Sequence, residues 1–206
     1  MRILAIGDSL TAGYCLPPPF KPWAPVLSNL LPGKPAVDHI GCSGWTTSQL
    51  VVAADSASVH DVCGEEWPGA RTKLGTAKYD VGIIMGGTND LAYGVSTKDI
   101  VANLAQLHQM CWDAGASKTV LLSIPPSAGS GNPAHAAAND ALQKWAMQQG
   151  ESKVLFVDSS SLVPFARPSP LWMMDGLHMT AEGYEQFGTR LADAIAGFVT
   201  APGSGS

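Results

Sequence analysis

The amino-acid sequence predicts an α/β fold, a three-layer α/β/α sandwich around a five-stranded parallel sheet. Five short runs rich in β-branched residues alternate along the chain with segments of helical periodicity, which is the pattern of βαβ units. The first run, Ile3 to Ile6, is apolar at every position, as in strands that are buried on both faces. Because crossovers between parallel strands are right-handed, we expect a flavodoxin-like strand order.

Length and composition predict a single globular domain. A chain of 206 residues, 46% hydrophobic and 14% charged, can bury a sizeable core without crosslinks. We assign residues 1–200 to this domain, and residues 201–206, which include Pro-Gly-Ser-Gly-Ser, to a flexible tail. A net charge of −5 without a Lys/Arg cluster argues against a nucleic-acid partner. We assume a monomer.

Two further features bear on the compartment. No apolar run approaches the roughly 20 residues that span a bilayer, and a strand that starts at residue 3 leaves no room for a signal peptide. The chain as written is therefore expected to be cytoplasmic, or exported if a presequence has been trimmed. The four cysteines, Cys15, Cys42, Cys63 and Cys111, match no metal or redox spacing. We expect mostly buried thiols, with a disulfide only in an exported protein.

The first element is the strand at Ile3 to Ile6, which Gly7-Asp8 ends and Ser9 follows. Ser9 thus lies at the carboxyl end of a parallel strand, the edge where such sheets bind ligands. Its hydroxyl is a candidate nucleophile. Gly-Asp-Ser is also common in turns and helix caps, so this stretch alone supports both interpretations.

A helix and a second strand come next. Trp23 to Leu31 predicts a short helix with proline in its first turn, ended by Pro32-Gly33. Ala36 to Ile40 predicts the second strand. The small residues of 41–47 lead into a helix from Ser48, and a glycine at such a passage lets backbone N–H groups approach a ligand closely.

Residues 55–79 show little periodicity and predict a loop or a short irregular helix that overhangs a site. Val81 to Met85 is the third strand, and residues 86–90 form its exit turn.

The rest of the chain continues the alternation. Thr97 to Ala114 predicts a long helix whose apolar residues recur at 3–4 spacing. Thr119 to Ile124 is the fourth strand, Ala134 to Gln149 a helix and Val154 to Val157 the fifth strand. Thr180 to Val199 closes the chain as a helix with Thr180 as its N-cap.

Four separated pieces then meet at one edge of the sheet: Ser9, Gly44, Asn89, and Asp175 with His178. Acyl transfer needs a nucleophile, a base, a group that orients the base, and donors for the developing oxyanion. Asp175 and His178 are three residues apart. On one helical turn the carboxylate would reach the imidazole Nδ1 while Nε2 points towards Ser9.

These pieces resemble a known set of sequence blocks. Gly7-Asp8-Ser9-Leu10, Gly44, Gly87-Thr88-Asn89-Asp90 and Asp175-Gly176-Leu177-His178 are similar, in this order, to the four blocks of the SGNH hydrolase superfamily, the GDSL esterases and lipases. The Gly-x-Ser-x-Gly elbow of α/β-hydrolases is absent, which disfavours that fold.

The resemblance implies a role for each block. Ser9 would be the nucleophile, His178 the general base and Asp175 the residue that orients the histidine. The oxyanion hole would combine the backbone N–H groups of Ser9 and Gly44 with the side-chain amide of Asn89. Gly41 competes with Gly44 for the second position.

Other polar and aromatic residues receive structural or secondary roles. Asp8 and Asp90 are expected to brace turns by hydrogen bonds to the backbone. Trp45, Tyr93 and Trp172 lie in loops at the predicted active edge and either line a substrate pocket or cover the core. The other histidines are expected at the surface or in packing: His39, His60, His108 and His135. No cofactor is implied, and no ligand-like cluster predicts a metal.

The resemblance therefore implies a serine esterase that acts on a small-molecule ester, with short acyl or aryl esters as its substrates, through a Ser-His-Asp acyl-enzyme mechanism. Four alternatives stay open: a carbohydrate acetylesterase, an acyltransferase with the same triad, an acyl thioesterase or lysophospholipase, and a non-catalytic binding module on the same scaffold.

Overall fold

The computed structural model describes residues 1–201, so most of the predicted tail lies outside the described residues. The strands are β1 (Arg2–Asp8), β2 (Ala36–Cys42), β3 (Val59–His60), β4 (Glu66–Trp67), β5 (Val81–Met85), β6 (Lys118–Leu122) and β7 (Val154–Val157). The helices are α1 (Ser9–Ala12), α2 (Ala24–Leu30), α3 (Thr47–Val52), α4 (Ala70–Leu74), α5 (Thr88–Ala92), α6 (Thr97–Asp113), α7 (Pro133–Gln149), α8 (Ser159–Leu162) and α9 (Ala181–Thr200).

Five strands form one parallel sheet in the order β2-β1-β5-β6-β7. This confirms the predicted parallel sheet and its flavodoxin-like order. The chain leaves β1 towards β2 on one side and returns to β5 on the other, so the order reverses at β1. A crevice opens at the carboxyl end of a strand where the order reverses in this way, and Ser9 follows that strand directly.

Helices cover both faces of the sheet, as the three-layer prediction requires. Along β1, Ile3 and Ala5 pack with α2 and α9, whereas Leu4 and Ile6 pack with α3, α4, α6 and α7. Side chains alternate between the faces of a strand, and both faces of β1 are buried. The continuous apolar run at the start of the chain is the consequence.

The region 55–79 differs from the loop or irregular helix that the sequence predicts. It contains an antiparallel hairpin of β3 and β4, followed by the one-turn helix α4. Two-residue strands are too short to show periodicity, and they form because the hairpin packs beside β2 and its exit loop.

Several strand ends differ from their predictions. β1 and β2 each continue two residues further, to Asp8 and Cys42, whereas β6 ends early, at Leu122 instead of Ile124. The backbone N–H of Ile124 donates to the side chain of Asn139 at 2.8 Å, and a group engaged in this way cannot continue the ladder of the sheet.

Candidate active site

The turn after β1 presents Ser9. Asp8 is the N-cap of α1, and its Oδ1 accepts a hydrogen bond from the N–H of Leu10 at 2.9 Å. Ser9 is the first residue of the helix, where the backbone N–H has no intrahelical partner. The hydroxyl and the backbone donor of Ser9 are therefore both placed at the carboxyl edge of the sheet.

His178 and Asp175 form a relay with this serine. Ser9 Oγ lies 2.9 Å from His178 Nε2, and His178 Nδ1 lies 2.8 Å from Asp175 Oδ2. The second oxygen of Asp175 accepts the backbone N–H groups of Leu177 and His178 at 2.9 and 3.0 Å. A proton on Nδ1 leaves the lone pair on Nε2 to accept the serine proton.

The hydrogen bonds to Asp175 also keep it charged. Burial acts to raise the pKa of this carboxyl, but the bonds from the imidazole of His178 and the two backbone N–H groups outweigh burial, so the pKa is lowered. Asp175 is an anion at neutral pH, and it can stabilise the imidazolium that forms when His178 takes a proton.

Tyr14 contacts the histidine from another side, which the sequence analysis did not foresee. The two ring centroids are 4.5 Å apart, and the hydroxyl of Tyr184 donates to the backbone oxygen of Tyr14 at 3.0 Å. This packing restricts the imidazole of His178. Tyr14 lies only five residues after Ser9 in the chain, and that proximity is the signal that could have identified it.

Gly44 and Gly41, the two candidates for the second block, are required to be glycine for different local reasons. Gly44 adopts φ +76°, a backbone conformation that favours glycine, and a Cβ there would also lie 2.6 Å from Val62 Cγ2. A Cβ on Gly41 would instead lie 2.3 Å from the backbone nitrogen of Ala12. Gly41 is thus explained by close packing against α1.

Asn89, a residue of α5, is hydrogen-bonded to the loop that contains Gly44. Its Nδ2 donates to the backbone oxygen of Trp45 at 2.8 Å. A primary amide carries two N–H donors, so one donor positions the side chain and the other is available to an oxyanion.

The two aspartates beside these blocks brace backbone turns, as predicted. Asp90 is fully buried, and its carboxylate accepts the N–H and the hydroxyl of Thr47 at 2.9 and 2.6 Å. It therefore ties the first turn of α3 to α5, while Asp8 caps α1.

Asp8 is expected to make stability depend on pH. Burial, and to a smaller extent the charge of Asp90, raises the pKa of Asp8 from 3.8 to about 7. Its Oδ2 has no hydrogen-bond partner among residues 1–201. The folded protein keeps this proton in a range where the unfolded chain has lost it, so stability falls as pH rises from 3.8 to about 7. The effect is on the order of a few kcal/mol.

Asp8→Asn keeps the cap and removes the titration. In thermal unfolding between pH 5 and 8, the variant should lose less stability with rising pH than the parent. Asp55→Asn, at an exposed carboxylate, should follow the parent. Parallel curves for the parent and Asp8→Asn would contradict the assignment.

A cavity of about 350 Å³ lies beside Asn89 and Leu177. Its wall combines apolar residues with polar ones, the latter being Thr88, Ser127, Asn132 and His135. His135, predicted as a surface or packing residue, is half-buried in this wall. α7 begins at Pro133, which places His135 in its first turn, where Nε2 donates to the backbone oxygens of Ile124 and Pro125, both at 3.1 Å.

The three aromatic residues predicted to bind substrate do not line this cavity. Trp172 is 4% exposed, its Nε1 donates to the oxygen of Pro164, and its ring packs against Phe165. Trp172 is therefore a core residue, because its loop folds inward. Trp45 is half-buried against the core, and Tyr93 is 74% exposed; their roles in substrate binding stay predictions.

The remaining observations concern the cysteines, possible metal ligands and the length of the apolar helices. The thiols of Cys15, Cys42 and Cys111 are buried, Cys63 is exposed, and all four cysteines are free. Within residues 1–201, no group of three His, Cys, Asp or Glu side chains is arranged to hold a metal ion. In the same part of the chain, no helix is long and apolar enough to cross a membrane.

A parallel sheet in this order, with serine, histidine and aspartate gathered at its carboxyl edge, defines the class of protein as an SGNH-type hydrolase. The sequence profile of the GDSL-like Lipase/Acylhydrolase family matches residues 5–186. The chain belongs to this family.

Solved structures share the fold over nearly the whole chain. A lipase/acylhydrolase from Enterococcus faecalis is 22% identical, with 96% of each chain covered and a TM-score of 0.65. A carbohydrate esterase of family 3 from Talaromyces cellulolyticus is 20% identical, covering 97% of this chain and 98% of that one, with a TM-score of 0.68. TesA is 19% identical over 96% and 99%, with a TM-score of 0.71. Comparison with curated protein sequences gives no match.

Proposed function

We propose that this chain is a serine hydrolase of carboxylic esters that works through an acyl-enzyme. The observation that carries the proposal is the relay from Ser9 to His178 at 2.9 Å and from His178 to Asp175 at 2.8 Å. In the first half-reaction, His178 Nε2 takes the hydroxyl proton as Ser9 Oγ attacks the ester carbonyl. The C–O bond to the alcohol then breaks, and the alcohol leaves with the proton from His178.

Water completes the reaction. His178 takes a proton from a water molecule as that water attacks the acyl carbonyl on Ser9, and the carboxylic acid leaves as Ser9 Oγ recovers its proton. In both halves, negative charge develops on the carbonyl oxygen. The backbone N–H groups of Ser9 and Gly44 and the second amide N–H of Asn89 are the donors proposed for that oxygen.

Asn89→Ala tests this oxyanion hole. Removal of one such donor in a comparable hydrolase lowers turnover by about 10²- to 10³-fold, and we expect a loss of this size in kcat with little change in KM. Asn103→Ala is the matched control, since its amide donates to Thr47 Oγ1 at 3.1 Å instead. Full turnover of Asn89→Ala in steady-state ester hydrolysis would exclude Asn89 as a donor.

The cavity is lined by Asn89 but not by Ser9 or His178, and we infer that it takes the part of the substrate that extends beyond the reacting carbonyl. About 350 Å³ is near the lower end of ligand pockets, which favours short acyl or aryl esters. Its polar residues, Ser127, Asn132 and His135, favour a second candidate, an acetyl ester of a carbohydrate, because they offer hydrogen bonds to hydroxyl groups. An acyl thioester or lysophospholipid with a long chain would need a longer apolar channel.

A substrate panel separates these candidates. Chromogenic esters from acetyl to decanoyl and an acetylated methyl glycoside are compared with the parent protein at equal enzyme concentration. A short-chain optimum in kcat/KM supports the proposed esterase, and a clear preference for the glycoside supports the second candidate. Absence of hydrolysis across the panel would contradict both and favour a binding module.

A further inference from the structure

The hairpin of β3 and β4 carries a buried carboxylate that the proposed reaction does not use. Asp61 is 6% exposed. Its Oδ1 accepts the backbone N–H groups of Cys63 and Glu65 at 2.8 and 3.0 Å. Its Oδ2 accepts the backbone N–H of Ser43 at 2.9 Å and the indole N–H of Trp67 at 3.2 Å. One side chain thus joins the hairpin to the residue that precedes Gly44.

Val62, the residue after Asp61, binds the backbone oxygen of Ser43, the same residue whose N–H binds Asp61. The backbone N–H of Val62 donates to the oxygen of Ser43 at 3.3 Å. That oxygen and the N–H of Gly44 belong to one peptide group, which is planar and trans, so the two point in opposite directions. The bond from Val62 therefore directs the N–H of Gly44 away from the hairpin. It also polarises the peptide group and strengthens this N–H as a donor.

The loop that contains Gly44 is also held by hydrogen bonds to the backbone of Trp45. The oxygen of Trp45 accepts the amide of Asn89 at 2.8 Å, and the N–H of Trp45 donates to the oxygen of Cys42 at 3.2 Å. The loop that carries the peptide between Ser43 and Gly44 is thus held by the hairpin on one side and by Asn89, the side-chain donor of the proposed oxyanion hole, on the other.

We propose that Asp61 is a positioning residue for the oxyanion hole, acting through the peptide group between Ser43 and Gly44. The inference rests on the proposed esterase function, since it concerns the donor that stabilises the transition state. A carboxylate with only a structural role would support the hairpin without affecting how the protein discriminates between carbonyl oxygens.

The test compares an oxygen ester with its thionoester, in which sulfur replaces the carbonyl oxygen. Sulfur is larger and a weaker hydrogen-bond acceptor, so the preference for the oxygen ester reports how well the donors are aligned. Asp61→Asn keeps the shape of the side chain but brings an NH₂ group towards N–H donors. Asp55→Asn is the control, because Asp55 belongs to the same region and its carboxylate is exposed in a pair with Arg71.

We expect Asp61→Asn to lower kcat for the oxygen ester by about 10- to 100-fold, less than the loss of a whole donor. KM should change little, and the preference for the oxygen ester should fall with kcat. Rates are normalised to active sites titrated with a phosphonate that labels serine. Asp55→Asn should match the parent.

A second variant covers the case in which Asp61→Asn does not fold. Val62→Pro removes the N–H that binds the oxygen of Ser43, leaves Asp61 intact and lies at a position that is 75% exposed. It should lower the preference for the oxygen ester in the same way. An unchanged preference in a folded Asp61→Asn, or in Val62→Pro if the first variant is unfolded, overturns this inference alone. A parent that hydrolyses neither ester overturns the proposed function, and this inference with it.

Discussion

Ser9→Ala is expected to abolish ester hydrolysis, because alanine offers no oxygen to attack the carbonyl. In a comparable triad, loss of the serine nucleophile lowers kcat by about 10⁶-fold, and we expect a loss of that order here. The parent should release a burst of alcohol as the acyl-enzyme forms, and the variant should release none. Stopped-flow measurement with a chromogenic acetate and the mass of the trapped acyl adduct both report this step.

The chain contains a matched control for this substitution. Ser159 also follows an N-capping aspartate at the end of a strand and opens a one-turn helix. Its hydroxyl donates to the backbone oxygen of Ser123 at 2.8 Å instead of to an imidazole. Ser159→Ala should therefore keep the burst when the signal is normalised to folded protein. A burst that survives in Ser9→Ala would identify a different nucleophile.

Asp175→Asn should produce the second largest effect. The amide can still accept the backbone N–H groups of Leu177 and His178 through its oxygen, but its NH₂ group would face Nδ1 of the imidazole. The histidine would then hold its proton on Nε2, where it cannot accept the proton of Ser9. A comparable change in another triad lowers kcat by about 10⁴-fold, and we expect a similar loss in steady-state hydrolysis with KM nearly unchanged.

Asp158→Asn is the control for this variant, since Asp158 caps α8 and its carboxylate accepts hydrogen bonds from Ser123 and Ser160 instead of an imidazole. Its kcat should equal that of the parent. If Asp175→Asn also kept the parental kcat, Asp175 would serve only to shape the turn before α9, and the proposed relay would be wrong.

Sequence patterns located the regular elements well where burial decides the structure. Val81–Met85 and Val154–Val157 are strands with the predicted bounds, because apolar β-branched runs bounded by turns have one favourable place in a layered fold. Thr180 caps α9 as predicted, accepting the N–H of Gly183 at 3.1 Å. Caps of this kind depend on neighbours in the chain, so local sequence is enough to find them.

Contacts between distant segments escaped the same reasoning. Asp61 and His135 carry no motif, and their positions depend on the hairpin beside β2 and on the start of α7 at the end of β6. For Trp172 the sequence allowed either a pocket wall or a place in the core, and the structure places it in the core, since the direction of a side chain in a loop is set by tertiary packing.

The sequence by itself determined the parallel sheet and the edge at which its strands end, because burial patterns and turn residues act locally. The roles of the four blocks at that edge come from their resemblance to the SGNH hydrolases. The resemblance to the GDSL block singled out Ser9, and the tertiary structure shows how its surroundings differ from those of Ser159. Both follow an aspartate cap at a strand end, yet Ser9 Oγ lies 2.9 Å from His178 Nε2, across 169 positions of the chain. The imidazole lies beside the hydroxyl of Ser9, and a backbone carbonyl lies beside the hydroxyl of Ser159. This difference depends on how the strands and helices pack, which the local sequence does not specify.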